Sequence, residues 1–192
     1  MSDIKIAWGI TGAGAFLKES INIIFKLPAA CVDIFFSKAA EEVVKMYRLL
    51  PLVGTSTSID GYNIFYDRCA SQPIIGRISL RYYDLLIIAP STSNTVAKMA
   101  HGIADTLITN LFAQAGKAKV PTLVLPTDLD EVMVSETPAR EEVKLYRRKM
   151  DFNNILLLRN MEYVTVVFSV SELRNKIKKI SSVYNFGCYL LF

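Results

Sequence analysis

The chain has 192 residues, 52% of them hydrophobic, and a formal net charge of +4. That length suits one α/β domain, and so slight a charge argues against a nucleic-acid partner. No run reaches the roughly 18 uninterrupted apolar residues of a membrane helix, and Cys31, Cys69 and Cys188, scattered and without a CxxC pair, argue against a metal site.

In chain order, Met1-Ser-Asp-Ile-Lys leads straight into a strand, Ile4 to Gly9, with no secretion-signal pattern, so a cytoplasmic location is expected. Gly9, Gly12 and Gly14 then fall in a turn with Thr11 and Ala13, ahead of a helical apolar rhythm from Phe16 to Phe25. Glycines let the backbone approach a bound group closely. The spacing G-x-x-G-x-G is not the dinucleotide fingerprint, and the acidic residue expected at the end of the second strand is absent. That strand, Cys31 to Phe36, ends instead at Ser37 and Lys38, a hydroxyl and a cation that suit a mononucleotide phosphate. A helix from Ala39 to Tyr47, capped by Ser37, follows. Leu49 to Thr57 reads as irregular, Tyr62 to Tyr66 as a short strand, and Ile74 to Arg81 as a brief helix. Arg68, Arg77 and Arg81 are either anion ligands or solvated surface.

Leu85 to Ala89 is a continuous apolar run, as in a central parallel strand covered on both faces. Pro90 lacks an amide hydrogen and is expected to end it. Ser91, Thr92, Ser93, Asn94 and Thr95 then crowd small polar groups onto the strand's carboxyl end, where parallel sheets bind ligands. A helix starting near Asn94 would add free N–H groups at the same spot; the alternative is an ordinary connection capped by Ser93 or Asn94. Gly102 is expected to break the following helical pattern in two, with Asp105 and Thr106 before the second part. His101 is the sole histidine, either a helix-end hydrogen-bonder or a reactive base. Val120 to Pro126 is the fifth strand, Thr127 to Pro138 an acidic loop, and Val143 to Lys149 an exposed strand carrying Lys144, Arg147, Arg148 and Lys149. Asp151 is expected to cap a helix to Met161, Val164 to Phe168 is the last strand, and Ser171 is expected to cap a basic helix. The tail, residues 183–192, is apolar enough to pack on its own body or on a neighbouring subunit. Alternation of strand and helix predicts an α/β fold with a three-layer, doubly wound parallel sheet, in a single domain over 1–192.

Pro90-Ser-Thr-Ser-Asn94-Thr95 resembles the PASANT motif of the homo-oligomeric flavin-containing cysteine decarboxylase superfamily, Gly9-Ile-Thr-Gly12-Ala its flavin loop, and Ala104-Asp105-Thr-Leu-Ile-Thr109 its A-D-x-L-x-T segment. The longer string from Ser93 to Asn110, with Arg147 to Asn154, is closer to one branch, the archaeal flavoproteins and flavin-dependent dihydromethanopterin reductases. The resemblance covers roughly residues 4–170 and implies a Rossmann-like or flavodoxin-like fold holding FMN in a homo-oligomer, a trimer or a multiple of one. It places Gly9, Thr11, Gly12 and Ala13 by the phosphate, with Ser37 binding it. Pro90, Ser91, Thr92, Ser93, Asn94 and Thr95 would surround phosphate, ribityl or ring, and Asp105 and Thr106 would shape the site beyond.

The superfamily's decarboxylases use a histidine before the third or fourth strand, and none occurs between Ser37 and Pro90. Their P-x-M-N substrate clamp is replaced by Pro126-Thr-Asp-Leu-Asp. Both departures favour a redox role over decarboxylation of a cysteinyl substrate, which is the alternative. The archaeal branch implies electrons from a ferredoxin, which Arg147, Arg148 and Lys149 are candidates to receive, and passage to a pterin or another acceptor. No catalytic side chain is singled out; a flavin carries its own redox chemistry.

Overall fold

In the computed structural model, which describes residues 4–49, 58–59, 61–69, 72–137, 139 and 141–184, the elements run in the following order. The first half is β1 (Ile6–Ile10), α1 (Leu17–Ile24), β2 (Val32–Phe36), α2 (Lys38–Met46), β3 (Ser58–Ile59), β4 (Tyr62–Tyr66), α3 (Gly76–Ser79) and β5 (Leu85–Ser91). The second is α4 (Ser93–Ala100), α5 (Leu107–Lys117), β6 (Thr122–Pro126), β7 (Val132–Glu136), β8 (Glu142–Tyr146), α6 (Lys149–Arg159), β9 (Val164–Val166) and α7 (Val170–Tyr184).

The main sheet has the order β3-β4-β2-β1-β5-β6-β9. Every pairing in it is parallel except that of the short β3 with β4. Leaving β3 aside, this is the Rossmann order 3-2-1-4-5-6 rather than the flavodoxin order. Alternation of side chains sorts the strands onto two cores. Ile6, Trp8 and Ile10 of β1, with Leu85 and Ile87 of β5, pack under α1, α2 and α7. Ala7, Leu86 and Ile88 pack on the other face under α3, α4, α5 and α6. Burial on both faces explains why the central strands read as unbroken apolar runs. Trp8 is fully buried, and its indole N–H donates to the Ala89 carbonyl at 2.8 Å, tying β1 to β5 through a side chain as well as the backbone.

Several sequence expectations need correction. Pro90 does not end the strand: β5 runs on to Ser91, through a cis Ala89–Pro90 bond. The ladder with β6 shifts register between Ile88 and Ser91, so no hydrogen bond is required of the Pro90 nitrogen. Part of the acidic stretch expected as loop is strand β7, which pairs antiparallel with β8 in a ribbon outside the main sheet. Only the β8 half of that ribbon shows in the sequence, because β7 lies among Asp128, Asp130 and Glu131 before it and ends on Ser135 and Glu136. The basic C-terminal helix is capped by Ser169, whose hydroxyl accepts the Glu172 N–H at 3.0 Å, rather than by Ser171. Two segments separated at Gly102 appear as expected, and Gly102 holds a φ of 70°, which a glycine adopts without strain. Apart from Leu49, the segment expected as irregular, 49–57, lies outside the described residues, as do tail residues 185–192.

Asp151 is not the N-cap of α6 but its third residue. It reaches back to the Arg148 N–H at 3.3 Å and to that guanidinium at 2.7 and 2.8 Å. These contacts hold the buried Asp151 carboxyl below the usual carboxylate range. A depressed carboxyl stabilises the fold fully above its unfolded value, about pH 4, and that contribution fades as pH falls through the folded value. Asp151→Asn is therefore expected to cost about 1 kcal/mol at pH 7, or about 2–4 °C in Tm for a chain of this size. Thermal melts should show the gap between variant and parent closing below about pH 4; a gap constant down to pH 2 would contradict the assignment.

Candidate functional site

Strand order reverses between β1 and β5, so their carboxyl ends diverge to β2 on one side and β6 on the other. Such a switch point opens a crevice in a parallel sheet. Here the backbone ladder continues one step past the strands. Asp67 N–H donates to Phe36 O at 3.1 Å, Ser37 N–H to Ile10 O at 3.1 Å, Thr11 N–H to Pro90 O at 3.1 Å, and Thr127 N–H to Ser91 O at 3.0 Å. The result is a row of small polar residues along one rim. The corners beyond Gly9 and beyond Pro90 thus meet on the same edge.

Thr11 fastens the two corners together. Its hydroxyl donates to the Pro90 carbonyl at 2.9 Å and accepts the Thr92 N–H at 2.8 Å. Thr92 in turn is the N-cap of α4, its hydroxyl accepting the Thr95 N–H at 3.3 Å, so neither Ser93 nor Asn94 holds that position. Ser37 caps α2 through the Ala40 N–H at 3.1 Å, as the sequence suggested. Thr106 caps α5 in a reciprocal box with Thr109.

Those three caps, Ser37, Thr92 and Thr106, line a single cavity of about 400 Å³. Three helices therefore aim their amino ends at one space. The first N–H groups of a helix have no partner within it, and each helix end carries a partial positive charge. Gly12, Asn94 and Thr95 also line the cavity. Gly12 is fixed by packing: a Cβ there would sit 2.4 Å from the Ala39 Cβ and 2.9 Å from the Ala39 carbonyl carbon. Only a residue without a side chain lets the glycine turn lie against the first turn of α2.

The remaining predicted residues build the walls rather than line the space. Gly9, Thr11, Ala13, Pro90 and Ser91 are buried. Gly9 lies against Ile108, whose Cδ1 would stand 3.1 Å from an added Cβ. The Ser91 hydroxyl is fully buried with no hydrogen-bond partner. Ser93 donates to the Asp128 carboxylate, which also accepts from the Thr127 hydroxyl at 3.1 Å, so the β6–β7 connection is pinned to the first turn of α4. Asp105 is exposed and accepts twice from the Lys98 ammonium, at 2.7 and 2.9 Å. That pairing holds its carboxyl below the usual range.

Asp67, Lys98, Ala39 and Ile108 line the cavity without having been singled out, as does Lys38, noted only as the neighbour of Ser37. Asp67 follows the third parallel strand directly, so the rule that ligands sit at carboxyl ends of strands could have found it. Lys98 stands one helical turn beyond Asn94, on the same helix face.

Other candidates are occupied elsewhere. Arg68 pairs with Glu41 at 3.0 Å, Arg77 with Asp33 at 3.3 Å, and Arg81 donates to the Ala118 carbonyl at 2.9 Å. None lines the cavity. His101 ends α4, exposed, with its Nε2 3.1 Å from the Asn154 amide oxygen. In the basic cluster, Arg147 donates to the Leu129 carbonyl and covers the Phe152 ring at 4.2 Å, and Arg148 grips Asp151. Among the described residues no group of three His, Cys, Asp or Glu side chains could hold a metal ion, and no helix is long and apolar enough to cross a membrane.

A Rossmann-order sheet whose switch point gathers three capped helix ends and a glycine turn defines a protein built to hold a phosphorylated mononucleotide. The chain belongs to the Flavoprotein family, whose model matches residues 1–188. It is 40% identical over 181 residues to the protein MJ0730 of Methanocaldococcus jannaschii, covering 92% of this chain and 95% of that one. It is 45% identical over 145 residues to the dihydromethanopterin reductase (acceptor) of Methanosarcina mazei, covering 72% of this chain but 61% of that longer protein. Among solved structures, Burkholderia xenovorans DmrB in complex with FMN, described as a cubic protein cage for redox transfer, superposes with a TM-score of 0.79 at 39% identity, covering 94% of this chain and 97% of that one.

The Gly12 contact generates a test. Gly12→Ala must push α2 away from the glycine turn, at a cost of about 1–3 kcal/mol, visible as a lowered denaturant midpoint with an unchanged slope. An unaltered midpoint would mean that the turn and α2 are not in contact.

Proposed function

We propose that this chain binds FMN non-covalently in the cavity at the β1–β5 switch point and works as a redox flavoprotein. The observation that carries the reading is the convergence of three capped helix ends on one cavity of about 400 Å³. That is within the range of small-molecule sites, roughly 300–1,000 Å³. The donor set suits the ligand: N–H groups of the first turns of α2 and α4, the Ser37 and Thr92 hydroxyls and Lys38 can hold a phosphate monoester. The Asn94 amide and the Thr95 hydroxyl, which line the cavity, offer donors for the rest of the molecule.

In this reading Gly9, Thr11, Ala13 and Pro90 act by shaping the walls. Gly12, Ser37, Thr92, Asn94, Thr95 and Thr106 face the cofactor, and Ser93 and Asp105 steady the segments on either side. Bound FMN would supply electron and hydride transfer; the chain supplies position, charge and shelter from water. The finer reading is that electrons arrive from a ferredoxin and leave to a pterin or another acceptor. The name of the Methanosarcina mazei relative supports the pterin. For the ferredoxin, Lys144 and Lys149 are exposed cations of the basic cluster, whereas Arg147 and Arg148 already have partners within the fold. We further propose a single flavoprotein domain that assembles as a homo-oligomer, a trimer or a multiple of one. Exposed Val132, Val134, Leu145 and Tyr146 on the ribbon, unusual for a lone monomer, support it, as does the assembly described for DmrB. No observation favours decarboxylation. His101, the sole histidine, points to α6 rather than into the cavity.

The purified protein is expected to be yellow, to release FMN on denaturation, and to exchange its visible spectrum for that of the reduced flavin under dithionite. Asn94→Asp sets a carboxylate at the mouth of α4, where it repels the cofactor. FMN affinity should fall at least tenfold by fluorescence quenching, with Tm little changed. A colourless protein that stays unliganded in excess FMN would overturn the reading.

A further inference from the structure

Lys98 is the feature of the cavity that FMN retention alone does not explain. It stands in the last turn of α4, one turn beyond Asn94, away from the helix amino ends that suit a phosphate. Its ammonium is held at 2.7 and 2.9 Å by both oxygens of Asp105, in the short segment between α4 and α5. The two partners are placed unequally. Lys98 lines the cavity and its side chain is 23% exposed, whereas Asp105 does not line it and is 52% exposed. Water screens the outer carboxylate more than the inner ammonium. The pair therefore acts as an oriented dipole with its positive end toward the cavity. A surface ion pair of this kind adds little to stability, so its placement calls for another account.

We propose that Lys98, positioned by Asp105, makes the site bind reduced FMN more tightly than oxidised FMN. The inference rests on the FMN reading above. Two-electron reduction with uptake of one proton turns FMN into FMNH⁻, which carries one more negative charge; uptake of a second proton gives FMNH₂. A fixed cation at the cavity wall favours the more negative species and shifts the bound flavin toward it. Asp67, the carboxylate that lines the same cavity beyond the end of β4, opposes that bias, so the preference depends on the ammonium being held in place. Lys98 is thus a positioning residue for charge, and Asp105 a positioning residue for Lys98.

The test is a pair of titrations on the full chain with FMN itself. Oxidised FMN is titrated aerobically, and dithionite-reduced FMN anaerobically, against the parent, Lys98→Met, Lys98→Arg and Asp105→Asn. In Lys98→Met the ratio of affinities, reduced over oxidised, should fall about tenfold, equivalent to about 30 mV in the two-electron potential. Lys98→Arg should keep most of the ratio, and Asp105→Asn should fall between. The anaerobic spectrum should move from the anionic toward the neutral reduced flavin in Lys98→Met at pH 7. Equal losses for both forms in Lys98→Met would overturn the proposal and leave Lys98 a general anchor. An unchanged ratio in every variant would overturn it too. Failure of the parent to bind FMN at all is a separate result, and it would fell the FMN reading itself. Should Lys98→Met not fold, Lys98→Gln takes its place, with the same expected fall in the ratio.

Discussion

Everything at the rim of this sheet hangs on one buried hydroxyl. Thr11 is 1% exposed, and its Oγ1 both donates to the Pro90 carbonyl and accepts the Thr92 N–H. The two contacts join the ends of β1 and β5 at the place where the chain's connections part to opposite sides. A net gain of about 0.5–1.5 kcal/mol per hydrogen bond is modest, but the penalty for losing the hydroxyl is larger. A valine of the same shape would strand the part-buried Thr92 N–H, at about 1–3 kcal/mol, and leave the Pro90 carbonyl only the Thr11 backbone N–H. The same bond fixes Thr92, which caps α4, and so sets the direction in which that helix presents its free N–H groups. Fold and site are therefore not separable here. The tie that closes the strand ends is also the tie that aims the helix.

How far this could be read in advance depended on where the information lies. The central strands were legible because burial on both faces leaves only apolar residues, and Leu85 to Ala89 shows that directly. The capped helix start at Ser37 was legible because a hydroxyl placed just before an apolar rhythm has a local job; the Thr106 cap was not read. Pro90 misled, since the rule against proline in a central strand assumes an unbroken ladder, and the register shift beside β6 removes that condition. Thr92 was passed over as the cap for a similar reason. Five adjacent small polar residues all have cap chemistry, and Thr11, some eighty residues earlier in the chain, selects among them. Asp151 was misplaced because a capping box reads the same from either of its ends, and Ser171 because Ser169, two residues earlier, carries the same cap chemistry. The β7 strand was hidden by acidic neighbours, Asp67 by standing outside any motif, and Lys98 by reading as the solvated face of a helix.

The cavity is best understood as an arrangement of partial charges in search of an anion. Three amino-terminal helix ends facing one space repel each other weakly, and each leaves N–H groups that must be satisfied by water or a ligand. Lys38 adds a full charge at the start of α2, and Lys98 adds another from the last turn of α4. A dinucleotide site of the same topology would place an acid at the end of β2 to hold a ribose diol. Here that position is Ser37, whose oxygen is engaged with the Ala40 N–H, so no group at that strand end selects a second nucleotide.

Asp67 completes the logic. It follows β4, one strand further out than Ser37, and it is 7% exposed at the cavity wall. Its backbone N–H is fixed by the Phe36 carbonyl, so the carboxyl cannot swing far from the amino end of α2. A carboxylate there gains from the helix end beside it, and it bars a second negative group from the β4 side. An anionic ligand is thereby driven inward, toward Gly12 and the start of α4, whose first N–H groups have no partner within the helix. The acid that seems out of place in an anion site is what gives that site a direction, since positive ends on three sides would otherwise accept a phosphate in more than one orientation.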